Sequence, residues 1–404
     1  MKKILFSAAA ALVCVSASAQ YYYQDANNGD VLCHSKETAP VRAEIILPQV
    51  NGYNVYKADL HVHTMYSDGD VTPEYRAHEA WNDGLDVIAL TDHLEVRAHE
   101  GKMIKYMKGY VKDGAKAINT DLRWKAADER GIQIDLNHSA KMCRAAARNY
   151  GIVVIPGIEI TRDFATVGHY NALFTTDNNA IYDPDPAQSI RNARAQGAVI
   201  MHNHPGGGRT DMNMHEFETR IYEEGLVDGI ETMNARQFYP RAIDRAHKYG
   251  FFMAANTDEH KPTYERYRLN GSLRNMTLIL AKDDSLESLK EALLAHRTLA
   301  YSFGTLAGEE QLLKDFFEAS VSARILKDGK SGDMIIALTN TTSLPYLIKF
   351  ESGNPISLPP FSSIKKTGGK GKKLTFTVMN MWCSSEAHPQ ITVDLKHNNN
   401  TKLK

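Results

Sequence analysis

Two of the chain's 16 histidines, His61 and His63, stand one residue apart at the end of the apolar run Val55 to Leu60. Residues i and i+2 of a strand share a face, so both imidazoles can converge on one point. That is half of a metal site. Asp68 follows in the Ser67-Asp68-Gly69 turn, where its carboxylate can swing back toward the same point or toward a neighbouring ion. In a chain this rich in histidine the spacing alone is weak, and any lone histidine is more commonly a hydrogen-bonded core or surface residue. The chemistry therefore depends on more ligands appearing downstream. His93 closes Thr91-Asp92-His93 after the run Leu85 to Leu90, and Glu159 falls near the end of Ile152 to Ile160. His169 stands just before Tyr170 to Phe174, His202 and His204 follow Ala198 to Met201, and Asp258 and His260 follow Phe251 to Ala255. Imidazole and carboxylate ligands suit zinc, manganese or iron, and a set without cysteine argues against a structural zinc knot.

The elements that must carry these residues alternate. From about Val55, short β-branched runs alternate with amphipathic helical patterns, as in βα units of a parallel sheet or barrel. Thr72-Pro73-Glu74 predicts a capped helix start and Gly84 its end. Ser285 to His296 predicts another helix, after a late strand at Thr277 to Ala281. Histidines and acids recur at the C-terminal ends of successive strands, where a barrel of βα units gathers its active-site groups. His169 is the exception, since it precedes its run. The charged, helical stretch 97–150 is too long for one crossover and predicts an excursion over the site. Residues 320–404 alternate apolar and polar between Gly, Pro, Asn and Ser turns, which predicts a small antiparallel β-sandwich without a metal-type cluster. The lysine-rich patch from Ile364 to Lys373 reads as a solvated hairpin loop.

Charge and cysteine content narrow the function classes. With 47 basic and 48 acidic residues there is no nucleic-acid footprint, hence no sequence-specific nucleic-acid partner. Residues 1–19 read as a signal peptide: Lys2 and Lys3, an apolar run from Ile4 to Val15, then Ala17-Ser18-Ala19. That predicts export, to the periplasm or beyond, and no later run is long enough to span a bilayer. Cys33, Cys143 and Cys383 permit at most one disulfide, so the fold must rest on a packed core. Nothing in the sequence specifies an oligomeric state.

His61-x-His63 with Asp68, Thr91-Asp92-His93, Pro156-Gly157-Ile158-Glu159, His169, His204-Pro205 and Asp258-x-His260 together resemble, in order and context, the polymerase and histidinol phosphatase (PHP) family of metal-dependent phosphoesterases. The resemblance covers roughly residues 55–305. It implies an α/β fold, a distorted (βα)7 barrel of the PHP type, binding two or three divalent ions. By the same resemblance His61, His63, Glu159 and Asp258 hold the first ion, and Glu159 bridges to a second held by His169 and His204. Asp68, His93 and His260 hold a third and count as catalytic. The implied domains are a leader over 20–50, the hydrolase over 51–312 and the sandwich over 320–404. Three divalent ions facing three carboxylates leave a surplus of about three positive charges, which favours a small anionic substrate. The implied activity is hydrolysis of a phosphodiester or phosphomonoester by a metal-bound hydroxide. Arg162 and Arg209 are candidate phosphate clamps and His202 a candidate substrate contact. Asp59 and Asp92 are expected to orient ligands, and Glu231 and Asn234 to line the pocket or cap. Hydrolysis of a carboxylic or carbamic ester at the same site, or a noncatalytic metal-stabilised protein that binds glycans or surfaces, are the competing expectations.

Overall fold

A computed structural model describes residues 23–25, 30–34, 41–99, 132–327, 334–367 and 373–394. The signal-like segment 1–19 and most of the excursion, including its piece Lys102 to Met107, lie outside the described residues. Residues 1–41 form one compact unit and the rest another. In the first, Tyr23–Asp25 (β1) pairs antiparallel with Leu32–His34 (β2).

The second unit begins with Asn54–Val62 (β3), whose last five residues are all buried. Pro73–Asn82 (α1) starts on Thr72, whose side chain accepts the Tyr75 N–H, as the Thr-Pro-Glu signal predicts. Gly84 follows at φ +86°, a left-handed turn that glycine adopts without strain. Next come Val87–Leu90 (β4), His138–Ala147 (α2), Val153–Thr161 (β5) and His169–Leu173 (β6). Pro186–Ala195 (α3), Val199–His202 (β7), Glu216–Glu223 (α4) and Gly229–Asn234 (β8) continue the alternation. Gln237–Phe238 (β9), Pro240–Tyr249 (α5), Phe252–Asn256 (β10) and Met276–Ala281 (β11) follow. Leu286–Leu294 (α6), capped by Ser285, precedes Thr298–Ser302 (β12), Thr305–Gly308 (β13) and Glu310–Ser320 (α7).

These strands, joined by Met381–Trp382 from near the C-terminus, form one twelve-stranded sheet. Its middle runs parallel from β3 to β4 to β5, and β7, β8 and β10 are parallel to one another. The parallel repeat does not run throughout: β6 lies antiparallel to both β5 and β7, and β11 antiparallel to β3. The far edge curls back to β3, where Asp258 N donates to His61 O (2.9 Å) and His63 N to Glu259 O (3.1 Å). Along β3 the register against β4 shifts between Asp59 and Val62. Ala58 and Leu60 pack in one apolar cluster with α6, while Val62 packs in another with Ala77 and Ala80 of α1. His61 and His63 flank Val62, and strand alternation turns both to the face opposite it.

Beyond α7 lie Val321–Lys327 (β14), Ile335–Asn340 (β15), Tyr346–Phe350 (β16), Ile356–Leu358 (β17), Ser363–Thr367 (β18), Lys373–Val378 (β19), the sheet-completing Met381–Trp382 (β20) and Gln390–Asp394 (β21). They make two antiparallel sheets, β14-β15-β18 and β17-β16-β19-β21. The basic patch read as a loop is in part strand: Ile364 to Thr367 belong to β18, and their alternating side chains suit a half-exposed sheet. Phe316 and Phe317 of α7 share one apolar cluster with Tyr346, Phe350 and Phe376. No described helix is long and apolar enough to cross a membrane.

Candidate metal centre

Strand ends bring the predicted ligands together. His61, His63 and Asp258 form one group, His61, Glu159 and His204 a second, and His63, Asp68, His93 and His260 a third. In each group the candidate ligand atoms lie within 4.8 Å of one another. His61 Nε2 is 3.1 Å from His63 Nε2, and Asp258 Oδ1 lies 3.2 and 3.1 Å from those two nitrogens. Glu159, fully buried, is the hub. Its Oε1 lies 3.3 Å from His61, 3.3 Å from His169 Nδ1 and 3.6 Å from His204 Nε2, and its Oε2 lies 2.5 Å from His93 Nδ1. Asp68 Oδ1 sits between His93 Nε2 (3.3 Å) and His260 Nε2 (3.1 Å). His169 belongs to none of the three groups, but antiparallel pairing sets it beside Thr161, so a strand start lands at the same rim as its neighbours' ends.

Charge within the site is self-consistent. Burial opposes a charged His61, yet Asp258, Glu231 and Glu159 outweigh it and hold the ring well above its ordinary pKa. Burial likewise opposes the charge on His93 and His260, and Asp68 raises both. His63 is the opposite case, lowered to about 4 by burial and then by the charges of His260 and His93. Burial would push Asp68, Glu159 and Asp258 up, but the surrounding imidazoles hold all three well below the usual carboxylate range.

The donor set fits divalent cations. His63 Nδ1 is buried without a hydrogen-bond partner among the described residues, and Asp68 Oδ1 faces two imidazole nitrogens. Two imidazole nitrogens 3.1 Å apart, both facing a carboxylate, need either a proton or a cation between them. Nitrogen and oxygen donors without thiolate suit zinc, manganese or iron, which His61, His63, Glu159, Asp258, His204, His169, Asp68, His93 and His260 would hold.

The surrounding polar groups fix this geometry. Asp92 accepts from Thr64 N (2.7 Å), Thr64 Oγ1 (2.9 Å) and Ser67 Oγ (2.9 Å), pinning the turn that carries Asp68. Asp59 pairs with the buried Arg274 at 2.7 Å and accepts the Thr257 N–H beside Asp258. Glu231 accepts from His61 Nδ1 (3.0 Å), and Asn234 donates to Glu231 rather than capping (2.8 Å). Two contributors escaped the sequence analysis. Arg76 of α1, 1% exposed, donates to the carbonyls of His63 (2.9 Å), Glu259 (2.6 Å) and Lys261 (2.9 Å). Asn203 donates to Glu159 Oε1 (2.7 Å). Only an arginine on the buried face of a helix hinted at the first. His204 and Asp258 hold φ +27° and +51°, a strained conformation for non-glycine residues that clusters at functional sites.

The three expected substrate contacts are engaged elsewhere. Arg162 is buried against Glu95 (2.8 Å) and donates to the Asp183 carbonyl (2.9 Å), so its fork is committed to the protein. Arg209 pairs with Glu218 and donates to the Pro205 carbonyl (3.1 Å), bracing the loop after His204. His202 is 1% exposed, bonds the Tyr222 hydroxyl through Nδ1 (2.5 Å) and stacks on Tyr170; burial and the Arg245 charge drive its pKa well below the ordinary value. Phe164, 38% exposed and stacked on His169 at 4.1 Å between centroids, instead offers an aromatic wall beside the histidines.

The family model for the PHP domain matches residues 59–227. A two-domain protein containing a predicted PHP-like metal-dependent phosphoesterase, from Bacteroides vulgatus, is 31% identical with a TM-score of 0.77, covering 89% of this chain and 100% of its own. An amidohydrolase from Chromobacterium violaceum, solved with sulfate and no metal, is 15% identical with a TM-score of 0.32, covering 51% of this chain and 88% of its own, a similarity too slight to speak to fold or function. No curated protein matches. Identity and coverage with the Bacteroides protein, together with the PHP match over the opening ligand motifs, show that this chain belongs to the PHP-domain family and has the fold of the PHP-like metal-dependent phosphoesterases.

Proposed function

We propose that the chain is an exported, metal-dependent phosphoesterase acting on a small phosphodiester or phosphomonoester. The observation that carries this reading is Glu159: one buried carboxylate, near the end of β5, approached by four imidazoles within 3.6 Å and shared between candidate ion positions. Two or three divalent ions, zinc, manganese or iron, would supply Lewis acidity toward a phosphoryl oxygen and lower the pKa of a nearby water. The protein's own residues do the rest. Glu159 and Asp258 gather the imidazoles and balance cationic charge. Asp68 and His260, with a quarter and a third of their side chains exposed, are the ligand groups most open to solvent, so water and the scissile ester approach on that side. The Asp258 carbonyl holds His260 Nδ1 (2.9 Å) and aims Nε2 at Asp68. With Arg162 and Arg209 committed to Glu95 and Glu218, attraction for the anionic ester falls to the centre itself. Export rests on the signal-like residues 1–19; a mature chain beginning at Gln20 on N-terminal sequencing of the secreted or periplasmic protein would bear it out, and an uncleaved cytoplasmic chain would refute it.

The test is alcohol or phosphate release from a panel of phosphodiesters, phosphomonoesters and carboxylic esters, with manganese- or zinc-loaded protein and His63→Ala as control. Turnover of phosphate esters that His63→Ala abolishes is the expected result. Turnover of carboxylic esters alone would sink the proposed reaction.

A further inference from the structure

We infer that Glu231 is a positioning residue that couples two candidate ion positions by fixing His61 and His204 with a single buried carboxylate. This rests on the ion-binding reading proposed above. Glu231 lies on β8, fully buried, and both of its oxygens are spoken for. Oε1 accepts from His61 Nδ1 (3.0 Å) and Asn256 Nδ2 (2.9 Å), and Oε2 accepts from the His204 backbone N–H (2.7 Å) and Asn234 Nδ2 (2.8 Å). These contacts include no lysine or arginine, and the ionisable partner among them is His61 itself. The carboxylate faces the far nitrogen of a ligand and the backbone of another.

Each contact has a consequence at the centre. With the Nδ1 proton donated to Glu231, His61 presents the Nε2 lone pair toward Asp258 and Glu159. The bond to the His204 N–H anchors a residue whose φ of +27° needs outside support, and whose Nε2 lies 3.6 Å from both Glu159 and Asp258. Asn256 extends the tie: its Oδ1 accepts the Leu60 N–H (2.8 Å), one residue before His61. Loss of the charge at Glu231 should therefore loosen both groups that contain His61 together, rather than one. Glu231 lies behind His61 and not in the open side of the site, so its role is to position and not to touch substrate.

The experiment loads cobalt into metal-free wild type and Glu231→Gln, reading visible absorption and calorimetric affinity, with thermal melting of both metal-free proteins alongside. The glutamine is isosteric but turns one acceptor into a donor facing a donor. The expected result is a cobalt affinity lower by about 10- to 100-fold, with an altered ligand-field spectrum. Unchanged affinity and spectrum, whatever happens to the metal-free melting temperature, would make Glu231 merely structural and overturn the inference alone. A wild type that takes up no cobalt overturns the ion-binding reading and this inference with it. Should Glu231→Gln fail to fold, Asn234→Ala decides: it removes one donor to Oε2 and should weaken cobalt binding several-fold, and no change there overturns the coupling.

Discussion

Asp258 lies within 3.6 Å of three imidazoles, with Oδ1 against His61 and His63 and Oδ2 against His204, and 3.8 Å from a fourth, His260. Replacing Asp258 with asparagine keeps the shape and removes the charge, so phosphate-ester turnover should fall by roughly 100-fold or more, as loss of several kcal/mol of electrostatic stabilisation requires; steady-state rates at saturating manganese check this. The metal-free protein should also show its own pH signature. His61, His93, His204 and His260 have raised folded-state pKa values, so their contribution to stability is full below about 6.5 and is lost as pH rises through the folded values. Asp68, Glu159 and Asp258 are depressed, so their contribution is present above about 4 and is lost as pH falls. His63, lowered to about 4, and His169 and His202, lowered as well, work against the folded state on the acid side. Thermal melting of the metal-free protein should therefore peak between about pH 5 and 6.5 and decline above it, and bound zinc or manganese should flatten that decline. A melting temperature that climbs steadily from pH 6 to 9 without metal would contradict this.

At the level of elements, the sheet explains what the sequence left ambiguous. Ligands that close parallel strands, such as His93 and Asp258, were legible because an apolar run points straight at them. His169 was legible only through the family resemblance, because its strand runs the other way and pairing partners alone reveal that its start meets the end of β5. Glu231 and Arg76 were harder still: a side chain that supports a ligand from behind carries no spacing signature, and its role exists only once β8 or α1 is packed. The tie between β3 and the segment after β10 is similarly invisible in one dimension. There Arg274 and Asp59, 1% and 0% exposed at their side chains, pair at 2.7 Å, and Arg274 also reaches Asp83 at 3.3 Å. Arg274→Met would leave the Asp59 charge buried without that partner, and should destabilise the protein by about 3–5 kcal/mol in urea unfolding.

Across the whole molecule, the C-terminal sheets are not hung on a thread. β13 and β20 pair in parallel, Leu306 to Met381, and the apolar cluster that begins at Ile45 continues through α7 into Phe376 and Ile391. Alternation in the last 85 residues announced strands correctly, but it could not reveal that their inner face and the barrel's α7 share a core. Phe317→Ala, at the aromatic junction with Tyr346 and Phe376, should cost about 3–5 kcal/mol and destabilise both parts together. Calorimetry should show the large sheet and the C-terminal sheets, both within residues 42–404, melting in one cooperative transition, and separate peaks for the two would contradict a continuous core.

Glu159 and its ring of imidazoles are the proposed metal-dependent centre for phosphate-ester hydrolysis. The most direct measurement is phosphodiester turnover by one preparation stripped with chelator, then reloaded with manganese or zinc, with Glu159→Gln treated in parallel. No turnover is expected after stripping, with recovery on reloading and a Glu159→Gln rate at least about 100-fold below that of the reloaded wild type. Equal turnover by the stripped protein, or by Glu159→Gln, would contradict that assignment.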